Sequence, residues 1–223
     1  MNSKIGKRVA INTVVFDFDG VLLQSNAIKR DVYFQVFETV PRAATVVTKC
    51  LLEYPDFNRV ELIGRVLSDL GPEQCASFGL CLDACVQRYT EMCEDLTSKC
   101  AEVAGAGLAI RSLSEYLALY INSATVETSL QNVVRRRGWS SYFRGIYGSP
   151  RTKSVILRSI LAQEKVHADS TLFVGDGLRD YRAASEIGCQ FLGIRNEFND
   201  FGDVEIEMLD DLTTLVEVVR NRV

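Results

Sequence analysis

Asp17-Phe18-Asp19-Gly20-Val21 places two carboxylates two residues apart, directly after the apolar run Val14-Val15-Phe16. Strand side chains alternate, so residues two apart point to the same side. Two acids on one side of a strand end, before a turn at Gly20, have no countercharge nearby in sequence. Like charges held that close raise each other's pKa until a cation or a proton intervenes. A divalent metal would neutralise them, and a proton shuttle could exploit them. An ordinary acidic turn at a strand end fits the same five residues.

Three further segments offer partners. Leu119-Tyr120-Ile121-Asn122-Ser123-Ala124 ends a strand with a hydroxyl and exposed amides, a combination suited to an anion. Ser123 fits equally well as a cap for the helix that follows. Gly148-Ser149-Pro150-Arg151-Thr152-Lys153 precedes another helix. The helix dipole disfavours a lysine in the first turn, so Lys153 makes most sense facing a negative charge, with a solvated surface lysine as the alternative. Arg151 reads as solvent-facing and as a weaker phosphate contact. Finally, Thr171-Leu172-Phe173-Val174 runs into Gly175-Asp176-Gly177, with Asp180 four residues after Asp176. Asp176 can coordinate a hard cation; Asp180 can hold it, orient its waters or cap the helix that starts there. Acids, a hydroxyl and a lysine at four strand ends suit phosphoryl transfer. A cation and a lysine offset the phosphate charge while a carboxylate attacks.

These residues need a scaffold that brings four strand ends together. Residues 9 to 20 read as strand and turn. From Ala27 to about Gly107 the pattern is helical: Ile28, Val32, Val36, Phe37 and Val40 share a face, as do Val60, Ile63, Val66, Leu67 and Leu70 before Gly71-Pro72. Leu80, Ala84, Cys85, Tyr89, Met92 and Leu96 continue the period. After Gly105-Ala106-Gly107 helices and strands alternate. Helices are predicted over 108–117, 128–137, 154–163, 178–187 and 212–222, with strands over 117–121, 171–174 and 191–194. This pattern implies an α/β fold, a Rossmann-like parallel sheet with an inserted all-helical cap. The expected core is residues 1–24 and 106–223, and the cap 25–105. Ligands of such sheets bind beyond the carboxyl ends of the strands, where the insert can sit as a lid.

The chain has 223 residues, 47% hydrophobic and 24% charged, with a formal net charge of −4. That is a soluble globular composition without the basic footprint of a nucleic-acid binder. No apolar run approaches 18 residues, so no membrane span is expected. Met1 to Arg8 is basic and polar and the strand behind it is interrupted by Asn12 and Asp17, unlike a signal peptide; a cytoplasmic protein is expected. The seven cysteines form no C-x-x-C pair, and Cys81, Cys85, Cys93 and Cys100 have helical spacing. Reduced, mostly buried thiols are expected rather than a zinc site. A single histidine, His167, lies in a polar loop and reads as a surface residue, which disfavours histidine-based catalysis. Arg135-Arg136-Arg137 ends a helix where the dipole favours positive charge, and Trp139 reads as packing.

The order Asp-x-Asp-Gly-Val, then Ser123, Lys153 and Gly-Asp-x-x-x-Asp resembles the four-motif signature of the haloacid dehalogenase superfamily of phosphohydrolases, over residues 9 to about 200. The separation of Ser123 from Tyr142-Phe143 matches that in many relatives. The resemblance is to the subclass with a helical cap after the first motif, the phosphoglycolate phosphatase and β-phosphoglucomutase type. The short stretch between Ser123 and Lys153 leaves no room for a second-position cap. The run Lys153-Ser154-Val155-Ile156 departs from the Pro-x-Pro of many members of those two groups. The Ser25-Asn26-Ala27-Ile28-Lys29 segment resembles the approach to the cap in phosphatases of cell-surface sugars, with Gln24 replacing an acid.

The resemblance implies a mechanism. Asp17 is the nucleophile, forming an aspartyl-phosphate; Asp19 is the acid for the leaving group and then the base for water. Ser123 and the Ala124 amide hold phosphate oxygens, and Lys153 steadies Asp17. Mg²⁺ is bound by Asp17, the Asp19 carbonyl and Asp176, with Asp180 in support. Asp19 argues against a dehalogenase. The implied substrate is a small phosphorylated metabolite, a sugar phosphate among the candidates, with no nucleic-acid or membrane partner and a monomer or homodimer as the assembly. The rivals are a phosphomutase, a non-catalytic regulatory or binding relative that intact Asp17 and Asp19 speak against, and a phosphonate-cleaving relative needing Lys29 or Lys49.

Overall fold

The structure is a computed structural model that describes residues 10–55, 57–198 and 201–222. The readings of Met1 to Arg8 and of Val9 as the strand's first residue fall outside these. The described chain forms two compact units: Asn26–Lys99, and the segments on either side of it.

The helical unit contains α1 (Asn26–Val36), α2 (Ala43–Glu53), α3 (Arg59–Leu70), α4 (Pro72–Ser77) and α5 (Leu82–Lys99). Val32, Val36 and Phe37 pack with Leu62, Ile63, Val66, Cys85, Tyr89 and Cys93 in a core of its own. Val60, placed on the apolar face by its spacing, is exposed. It lies in the first turn of α3, where Asn58 and Glu61 form a reciprocal cap that holds that turn at the surface. Of the seven free thiols, Cys50, Cys85 and Cys93 are buried, Cys81 is exposed and the others are half-buried, so burial is less general than expected.

The second unit holds a six-stranded sheet. Its strands are β1 (Thr13–Phe16), β2 (Ala118–Val126), β3 (Gly145–Ser149), β4 (Thr171–Gly175), β5 (Gln190–Ile194) and β6 (Met208–Leu209). The order is β3-β2-β1-β4-β5-β6, and every pairing is parallel. The helices are α6 (Ala106–Ser114), α7 (Glu127–Arg136), α8 (Lys153–Glu164), α9 (Leu178–Ile187) and α10 (Leu215–Arg220). β1 lies in the middle because Val14, Val15 and Phe16 are all fully buried and need cover on both faces. Val14 and Phe16 pack with Ile110 of α6, Val133 of α7 and Leu215 of α10. Val15 packs on the opposite face with Ile156 and Ile160 of α8 and Ala184 of α9.

The sequence misses β3 and β6, the two edges. β3 carries Gly145 and Gly148 and is only half-buried, so it has no apolar alternation to read. The boundary of the inserted segment also differs. Residues 100–105 pack with the sheet unit: Gln24 N–H donates to Ala101 O (3.0 Å), Val103 N–H to Leu22 O (3.0 Å), and Leu23 and Glu102 form an antiparallel bridge.

Candidate active site

Side-chain alternation decides where Asp17 goes. Its N–H continues the ladder onto Val174 O (2.8 Å), so Asp17 shares the parity of Val15 and turns toward the face covered by α8 and α9. Lys153 is the first residue of α8, and Asp180 lies in the first turn of α9. The Lys153 ammonium lies 2.8 Å from Asp17 Oδ2 and is also paired with Asp180 Oδ1. The surface alternative for Lys153 is thus replaced by a lysine facing two acids.

Asp180 does two jobs. Oδ1 takes Lys153, and Oδ2 accepts the N–H groups of Asp176 and Gly177, both at 3.2 Å. It therefore caps the turn into α9 while facing the site. This approach needs Gly175: a Cβ there would lie 2.4 Å from Asp180 Cβ. Asp176 is buried, and its Oδ2 accepts from Asn196 Nδ2 at 2.8 Å. Asp17, Asp176 and Asp180 each offer an oxygen within 4.8 Å of the others.

Burial sets the electrostatics. It pushes the Asp17 carboxyl up to about 8; Lys153 opposes that, while Asp180, Asp176 and Asp19 reinforce it. Lys153 is held above its ordinary value because Asp17 and Asp180 outweigh its own burial. Three buried carboxyl groups share one ammonium, and a divalent cation would allow all of them to ionise together. The oxygen-only donor set fits a hard ion such as Mg²⁺.

Asp19 leaves the strand at the turn. Its Oδ1 accepts from Ser25 Oγ (2.6 Å) and its Oδ2 from Thr125 Oγ1 (2.8 Å). Ser123 is buried in the second half of β2, and its Oγ accepts the Thr125 N–H at 3.1 Å; Ala124 beside it is exposed. Ser123 makes no cap for α7, whose N-cap position is Val126 and has no side-chain hydrogen bond. The segment around it is a bulge. Asn122 pairs with Tyr147 and Val126 with Ser149, so β2 takes four steps where β3 takes two. Such an insertion bows the strand and re-aims its side chains.

The seven residues given catalytic, phosphate-binding or metal-binding roles lie in the sheet unit: Asp17 and Asp19 just past β1, Ser123 and Ala124 in the second half of β2, Asp176 just past β4, Lys153 at the start of α8 and Asp180 in the first turn of α9. Asn122, Thr125 and Asn196 were missed. Asn122 Nδ2 donates to Lys153 O (3.0 Å), tying β2 to α8. Loop asparagines and threonines read as turn formers, and their partners are distant in sequence; for Thr125 the hydroxyl two residues after Ser123 was the available signal. Ser25 was noted for its segment, not for contact with Asp19. Arg151 is exposed, as expected, but not unpartnered: its guanidinium pairs with Glu127 at 2.5 Å and lies over the Tyr147 ring.

Solved structures of the same fold are numerous. YfnB of Bacillus subtilis, solved bound to magnesium, is 18% identical with a TM-score of 0.72, over 94% of this chain and 99% of that one. CbbY of Rhodobacter sphaeroides, solved with xylulose-1,5-bisphosphate, is 18% identical with a TM-score of 0.72, over 92% and 96%. A 2-haloacid dehalogenase from Pseudomonas syringae pv. tomato is 17% identical with a TM-score of 0.64, over 95% and 99%. At these identities the likeness establishes the fold. No curated protein matches the chain. The haloacid dehalogenase-like hydrolase family matches residues 14–194, which run from β1 to the end of β5 and include Asp17, Asp19, Ser123, Ala124, Lys153, Asp176 and Asp180. The chain belongs to the haloacid dehalogenase-like hydrolase family.

Proposed function

We propose that this protein is a Mg²⁺-dependent phosphomonoesterase acting on a small phosphorylated metabolite, with Asp17 as the nucleophile. The observation that carries the reading is Lys153 set between buried Asp17 and Asp180, with Asp176 completing an acidic trio. The Asp17 carboxylate attacks phosphorus and the ester oxygen leaves, giving an aspartyl-phosphate. Asp19 supplies the proton to the leaving oxygen and then takes one from the water that hydrolyses the intermediate. Ser123 Oγ and the Ala124 amide hold phosphate oxygens, and Lys153 fixes Asp17 and meets the transferring group. Asp17, the Asp19 carbonyl and Asp176 would hold Mg²⁺, with Asp180 in support; the ion supplies charge neutralisation around the phosphoryl group.

The inserted helical unit is, in this reading, the cap that selects the substrate. CbbY was solved with a sugar bisphosphate, which favours sugar phosphates as the first class to try. The seven thiols are all free, which suits work in the reducing cytoplasm, as a monomer or homodimer.

The test is phosphate release from a panel of phosphorylated metabolites, with Mg²⁺ and with chelator, beside Asp17→Asn. Release confined to one class, needing both metal and Asp17, is the expected result. Undiminished turnover by Asp17→Asn in a clean preparation would sink the proposal. Isomerisation of a sugar 1-phosphate without phosphate release would convert it to a mutase.

A further inference from the structure

Glu127 closes the bulge that carries Ser123, Ala124 and Thr125. It is the first residue of α7, directly after Val126, where the regular pairing of β2 with β3 resumes. Its Oε2 accepts the Gly148 N–H at 3.0 Å and the Arg151 guanidinium at 2.5 Å. Arg151 is held in turn over the Tyr147 ring, 4.8 Å from its centroid. These bonds outweigh the desolvation of Glu127 and hold its carboxyl below the usual carboxylate range. Gly148 is crossed so closely that a Cβ there would lie 2.3 Å from Thr125 O and 2.8 Å from Glu127 N.

The consequences meet at the site. The bulge presents Ser123, and its Thr125 hydroxyl reaches Asp19. The segment that Glu127 grips leads two residues past Arg151 to Lys153. One carboxylate thus spans the two turns that deliver the phosphate cradle and the lysine. Resting on the phosphatase reading above, we infer that Glu127 is a positioning residue: it fixes the spacing between the Ser123–Thr125 bulge and Lys153, with Arg151 as its counterion. It touches neither the nucleophile nor the acid. Phosphoryl transfer depends on placement, and an ångström of displacement costs roughly a hundredfold in rate.

The experiment compares wild type, Glu127→Ala and Glu127→Gln in Mg²⁺. It measures hydrolysis of p-nitrophenyl phosphate and calorimetric binding of inorganic phosphate, with melting temperatures to count folded protein. Expected for Glu127→Ala are a kcat per folded molecule lower by about tenfold or more, a KM changed far less, and weaker phosphate binding. Glu127→Gln keeps an oxygen for the Gly148 N–H and recovers most of both losses, which a general loss of stability would not produce. Wild-type kcat and phosphate affinity in Glu127→Ala would overturn the inference alone. So would a Gln variant as impaired as Ala. A wild type that neither hydrolyses the ester nor binds phosphate would overturn the phosphatase reading and this inference together.

Discussion

Lys153 is the residue on which the charge balance of the site turns. Replacing it by Met keeps the stem and removes the ammonium, leaving Asp17 and Asp180 buried against each other. Breaking a buried pair in this way costs about 3–5 kcal/mol. A urea midpoint in chelator that is markedly lower for Lys153→Met than for wild type is expected, and equal midpoints would refute the pairing. Added Mg²⁺ should recover part of the loss. Thr125 offers a subtler test, since its hydroxyl reaches Asp19 Oδ2. Thr125→Val is nearly isosteric and removes that donor, so kcat should fall by about tenfold and Thr125→Ser should restore it. A Val variant with full kcat would show that Asp19 does not depend on this contact. The sequence exposes Asp17, Asp19, Asp176 and Asp180 because they follow apolar strands and recur at matching places along the chain, a convergence that a single acidic turn or helix cap does not produce. It hides Thr125, Asn196 and Glu127, whose residue types are common in turns and first helical turns and whose partners are set only by the fold.

At the scale of the element, β4 and α9 must meet closely for Asp180 to reach both Lys153 and the turn amides. Gly175→Ala inserts a methyl where 2.4 Å separates it from Asp180 Cβ. Overpacking of this kind costs about 1–3 kcal/mol, and the displaced Asp180 should also lose its hold on the site. The expected result is a lower melting temperature together with a smaller Mg²⁺-induced rise in it. A variant as stable and as responsive to Mg²⁺ as wild type would mean that the turn has slack. The same scale explains which elements sequence reveals. β1 and β4 are fully buried and read as continuous apolar runs. β3 is an edge strand with two glycines, and its identity comes from pairing with β2. The first turn of α3 misleads in the other direction. Val60 has core spacing, but the Asn58–Glu61 cap keeps the turn at the surface.

For the whole molecule, the division into two units with separate cores is the dominant fact. The candidate metal ligands all belong to the sheet unit. A chain in which Ser25 is joined to Cys100 by a short Gly-Ser turn should therefore fold and respond to Mg²⁺ with the same rise in melting temperature that the proposed metal site predicts for the full chain. Loss of cooperative unfolding in that variant would show that the sheet unit needs the insert. The reason to expect success lies in the backbone where the insert departs and returns. Gln24 N–H bonds to Ala101 O, and Leu23 bridges Glu102. To the sheet, Asn26–Lys99 is no more than a hairpin loop whose tip has grown. Closure entropy rises only with the logarithm of loop length, about 0.6 kcal/mol for each doubling. The catalytic scaffold is thus nearly indifferent to what is spliced into that loop, and an unrelated folded domain with adjacent termini could be grafted there to give the same chemistry a different selectivity.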